Sequence, residues 1–113
     1  MSKEFARALV DVEVSYETDV DHATAVLQAL GESLFAEWPD RVMEPTQVMG
    51  VESLGQSGFT LRTLTKVAPG KQWEVARELR KRILSAFRSH SIEIPFPQRV
   101  VWSRNAGDAG MAD

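Results

Sequence analysis

The chain has no cysteine, one tyrosine and only two histidines among its 113 residues. Without cysteine, neither a disulfide framework nor a thiolate zinc site is available, and His22 and His90 stand far apart in sequence. Apolar stretches run for only a few residues, well short of the ~20 needed to span a membrane as a helix. The opening Met1-Ser2-Lys3-Glu4-Phe5 also lacks the apolar segment of a signal peptide. A soluble, non-exported polypeptide is expected, and the missing cysteine fits a cytosolic setting. No Gly-rich loop leads from a strand into a helix to cradle phosphate, since Gly55-Gln56-Ser57-Gly58 joins two strands. Asp19 and Asp21 lack the dense oxygen-ligand loop and turn glycine of a calcium site, and are read as capping and dipole-complementing residues. Neither metal nor cofactor is expected.

What remains suits one compact domain, with 43% hydrophobic residues and 26% charged ones. The formal charge of −3 is unevenly spread: Met1 to Gln56 carries −8 and Ser57 to Asp113 carries +5. Opposite charge in two halves of a small domain suits either solvated faces or head-to-tail self-association.

Leu9 to Tyr16 alternates Val10, Val12, Val14 and Tyr16 against Asp11, Glu13 and Ser15, the pattern of a strand with one wet face. Thr18 and Asp19 offer capping oxygens, after which Val20, Ala23, Leu27, Leu30, Leu34 and Trp38 recur at helical spacing until Pro39. The spacing predicts a helix over Val20 to Glu37, weakened locally by Gly31. Gln47 to Leu54 and Phe59 to Val67 are β-branched, apolar runs around the Gly55–Gly58 turn and predict an antiparallel hairpin. Beyond the Ala68-Pro69-Gly70 break, Trp73, Ala76, Leu79, Ile83, Ala86, Phe87 and His90 trace an apolar stripe, predicting a second helix over Gln72 to Ser89. Ile92-Glu93-Ile94 reads as a short strand ended by Pro95, and Arg99 to Arg104 as one more. From Asn105 on, small residues without a period indicate a disordered tail.

The order β-α-β-β-α-β makes an α+β ferredoxin-like sandwich the economical fold, with two helices on one face of an antiparallel or mixed sheet and an extra C-terminal strand. Catalytic chemistry is hard to assemble: His22 lies in the first turn of one helix and His90 at the end of the other, and neither has an obvious catalytic neighbour in sequence. The chain is therefore not expected to be an enzyme. The basic run Arg77, Arg80, Lys81, Arg82 and Arg88 is the feature that best suits an anionic ligand, and equally suits a solvated or subunit-facing helix face. Glu78–Arg82 and Glu74–Arg77 pairing would absorb part of that charge. An RNA-recognition reading would need stacking aromatics on the sheet, and Gly58-Phe59-Thr60-Leu61-Arg62 supplies little of that.

Three segments carry a resemblance: Val12-Glu13-Val14-Ser15-Tyr16-Glu17-Thr18-Asp19, the helix from Trp73 to Phe87, and Ile92-Glu93-Ile94-Pro95-Phe96-Pro97-Gln98. Together they resemble the C-terminal cytosolic domain of the small-conductance mechanosensitive channel (MscS) family over about Ala8 to Trp102. The resemblance implies that residues 1–7 end a preceding β-domain or linker, that 8–104 form the domain, and that 105–113 are the tail. Its signature and assembly positions map onto Tyr16, Asp19, Trp73, Ile94, Pro95, Phe96, Pro97 and Gln98. It implies a homo-heptameric ring whose C-terminal domains form a cage on the cytoplasmic side of the inner membrane. Membrane helices ahead of Met1 would tether it, and the last strands would close a small barrel. An acidic front half and a basic second helix suit such a head-to-tail ring. Pro95 and Pro97 would swing the chain out of its own sheet toward the ring axis. Alone, the chain is expected to be monomeric or weakly associated and unable to conduct ions. Two alternatives stay open: a regulatory domain that binds an anionic metabolite or nucleotide, and a nucleic-acid-binding module.

Overall fold

A computed structural model describes residues 4–95. The elements are β1 (Ala6–Ser15), α1 (Val20–Glu37), β2 (Gln47–Leu54), β3 (Gly58–Val67) and α2 (Gln72–Ser89). Both helices and β2 occupy the ranges their periodicity predicts, while β1 begins three residues earlier than its alternation indicates. The strands form one antiparallel sheet in the order β1-β3-β2.

Burial follows the two-residue period of a strand. Ala8, Val10, Val12 and Val14 of β1, with Phe59, Leu61 and Val67 of β3, turn inward against Ala23, Val26, Leu27 and Leu34 of α1 and Val75, Leu79, Ile83 and Phe87 of α2. Thr63 and Thr65 are fully buried on the same face. Their hydroxyls are satisfied, Thr63 Oγ1 donating to the Val10 carbonyl at 2.8 Å and Thr65 Oγ1 sharing a 2.7 Å bond with Thr46 Oγ1, so the desolvation cost of burying them is offset.

The expected strand Ile92–Ile94 is not formed. Helix α2 ends in a Schellman arrangement: Ile92 N–H donates to the Phe87 carbonyl at 2.8 Å and Ser91 N–H to Arg88 at 3.3 Å, with Ser91 at φ 57° in place of the usual glycine. Ile92 is thereby turned into the core. One bond then links the segment to β1, from Ser15 N–H to the Glu93 carbonyl at 2.9 Å. The next donor of any ladder here would be residue 95, and Pro95 has no N–H. Among the described residues the sheet is three-stranded and open on the far side of β1. The expected strand over Arg99–Arg104 and the tail from Asn105 lie outside the described residues.

The two sheet edges differ. β2 carries register shifts between Val48 and Gly50 and between Val51 and Ser53, with Gly50 at φ 116°; such bulges twist an edge away from further pairing. β1 pairs with β3 over ten residues without a shift. Since Ser15 N–H points away from β3 and backbone direction alternates along a strand, Arg7, Leu9, Asp11 and Glu13 also direct their N–H and C=O groups outward. Among the described residues, β1 thus offers an edge without bulges.

Candidate functional site

Along that edge lies an apolar groove of about 190 Å³, lined by Val10, Asp11, Val12, Arg80, Ile83, Leu84 and Ile94. β1 supplies one wall and α2 the other. Leu84 is 55% exposed on the outward side of a helix whose inward stripe is Val75, Ala76, Leu79, Ile83 and Phe87. Ile94 packs against the core from the segment that fails to become a strand. An open strand edge beside an apolar trough, with a cation at its rim, is suited to receiving another polypeptide segment.

The basic cluster on α2 divides in two. Arg82 is not available to a ligand: its Nη2 lies 2.7 Å from Glu37 Oε1 and its Nε 2.8 Å from Glu78 Oε2, tying α2 to the end of α1. The bond from Arg82, helped by one from Ser33, holds the Glu37 carboxyl below its ordinary range. Arg77, Arg80 and Lys81 are exposed. The expected Glu74–Arg77 pair does not form, because Glu74 faces Arg41 at 3.6 Å and Lys71 at 4.0 Å instead.

The remaining signature positions that are described lie in different parts of the fold. Tyr16 is half exposed, with its hydroxyl donating to the Gly55 carbonyl and its ring 6.1 Å from that of Phe59. It braces the β2–β3 turn against the end of β1. Asp19 is the N-cap residue of α1, but its side chain makes no capping bond; only its carbonyl is engaged, by Ala23 N–H at 3.1 Å. Trp73, placed by periodicity on the apolar stripe, is 63% exposed, while Val75 and Ala76 take the buried face. Pro95 is half buried near Gly58, while Phe96, Pro97 and Gln98 lie outside the described residues.

A family model described as mechanosensitive ion channel MscS, C-terminal, matches residues 8–94. The chain belongs to this family. An uncharacterised MscS family protein of Archaeoglobus fulgidus is 34% identical over 95 residues, covering 83% of this chain and 32% of that protein. The crystal structure of Helicobacter pylori MscS in its closed state shares the fold at a TM-score of 0.70 and 20% identity, over 90% of this chain and 39% of that one. The chain therefore spans about a third of the curated MscS relative it matches. Among the described residues, no helix is long and apolar enough to cross a membrane.

The MscS match takes in the groove as well as the fold, from Val10 to Ile94. Periodicity alone did not single out Leu84 as a surface residue. Its signal is its place one step off the stripe, immediately after Ile83.

Proposed function

We propose that this chain is the cytosolic C-terminal part of a mechanosensitive channel subunit, an architectural module that joins its neighbours into the cage of a tension-gated pore. The observation that carries this reading is the family match from residue 8 to residue 94, which runs through the whole of the described fold. Membrane insertion and gating would reside in polypeptide ahead of this domain. The ring would be a homo-heptamer on the cytoplasmic side, releasing ions and solutes under osmotic shock, with charged openings biasing which ions reach the pore.

The surface supports contact more than chemistry. A heterologous ring needs two unlike patches on each copy. The groove along β1, with exposed Leu84 and Arg80, supplies one patch. The acidic face of α1, with Asp21 and Glu32 exposed, would supply an electrostatic partner for the exposed cations of α2. Mass measurement of the detergent-solubilised, full-length subunit should give a closed ring. Leu84→Glu would place a charge in the groove and is expected to shift that ring toward monomers without unfolding the domain. A wild-type subunit that stays monomeric would overturn the assembly role, and a ring indifferent to Leu84→Glu would remove the groove from it.

A further inference from the structure

The two histidines, remote in sequence, are neighbours in space. Helices α1 and α2 lie on one face of the sheet and run antiparallel, so the start of one meets the end of the other. His22 is in the first turn of α1 and His90 is the C-cap residue of α2, and their ring centroids stand 5.7 Å apart at 66°. Both rings open on a groove of about 370 Å³ whose other walls are Ala25, Val26, Ala29, Leu30 and Ala86. Apolar walls give the imidazoles nothing to bind, and among the described residues neither ring takes part in a side-chain hydrogen bond or an ion pair.

From this pair we infer a binding site for a late first-row divalent ion, chelated by His22 and His90 with water completing the shell. A zinc ion about 2.0–2.1 Å from an imidazole nitrogen lies about 3.2 Å from the ring centre. Two such rings on one tetrahedral ion are therefore about 5.2 Å apart, and about 6.4 Å at the linear limit. The observed separation of 5.7 Å falls inside that range, and rotation of the exposed side chains would bring one nitrogen of each ring to the ion. His90 is held in place by its backbone, its N–H donating to the Ala86 carbonyl at 2.9 Å next to the Schellman turn. Borderline imidazole donors favour zinc, nickel and copper over magnesium or calcium. Among the described residues no group of three or more His, Cys, Asp or Glu is placed to hold a metal, so the site has two protein ligands and is correspondingly open and exchangeable. A bound ion would clamp the start of α1 to the end of α2, on a part of the fold separate from the β1 groove.

Calorimetric titration of the 113-residue chain with zinc chloride, and with magnesium chloride as control, tests this independently of the channel reading. One zinc per chain is expected, with no saturable magnesium binding. Joining two ligands on one frame strengthens binding roughly 100-fold or more over either alone, so His22→Gln and His90→Gln should each weaken zinc binding by about that factor. Both histidines are exposed, and circular dichroism checks that the variants fold. In the unmodified chain, NMR should show both imidazole rings shifting together on zinc addition. Absence of saturable zinc binding, one zinc per two chains, binding that survives either substitution, or a shift of one ring alone would overturn the site.

Discussion

Truncation of Phe87 to alanine is expected to cost about 3–5 kcal/mol, the range for deleting a buried aromatic ring. Phe87 is 1% exposed and is the largest of the fully buried side chains among the described residues. It sits in the last turn of α2, in one buried cluster with Leu79, Ile83 and Ile92. Its carbonyl also closes the Schellman turn through Ile92 N–H. The substitution leaves that backbone bond intact but removes the ring from the cluster into which the turn directs Ile92. The groove between α2 and β1 would loosen with it, because Ile83 and Ile94 belong to both. Small domains have only about 5–15 kcal/mol of total stability, so the variant should unfold at markedly lower urea concentration. A loss below about 1 kcal/mol would mean that the core is not organised around this ring.

Gly31→Ala offers a sharper decision, because two effects of similar size oppose each other. Alanine is favoured over glycine in a helix interior by about 1 kcal/mol, and on that ground the substitution should stabilise α1. A Cβ at position 31, however, would stand 2.5 Å from Thr46 Cβ and 2.8 Å from Thr46 N. Thr46 is not free to retreat: it is 5% exposed, and its hydroxyl is bonded to that of Thr65 on the central strand. Overpacking of a tight contact costs about 1–3 kcal/mol and more against backbone, so the clash should win. Net destabilisation of about 1–2 kcal/mol is expected by thermal or urea unfolding, whereas a rise in stability would show that the contact between α1 and Thr46 yields easily.

That pair of residues also marks where the sequence ceases to inform. Gly31 reads as a weak point in a helix when only neighbours in sequence are considered, and as a close-approach site once Thr46 is seen against it. Both helices were legible because their apolar stripes are long and their ends are punctuated by Pro39 and by Ala68-Pro69-Gly70. The hairpin was legible from its β-branched runs and Gly-bounded turn. Ile92–Ile94 was read as a strand because its composition suits one, yet the Schellman turn and Pro95 decide otherwise. Trp73 fell on the stripe by spacing alone, whereas Val75 and Ala76 hold the buried face there. Asp19 was placed correctly as the cap position but not as a side-chain donor–acceptor partner. Arg82 looked like its basic neighbours until Glu37, 45 positions away, proved to hold it. His22 and His90 needed the topology: two helices on one face, following antiparallel strands, bring opposite ends together.

The proposal that rests on the MscS family assignment is that the domain serves a tension-gated channel. Patch recording under suction tests it most directly, using membranes of channel-deficient cells that carry the full-length subunit containing this chain. Currents that open with applied tension, and that vanish when the subunit is absent, are the predicted result. A subunit that reaches the membrane at normal levels yet gives no tension-dependent current would contradict the account.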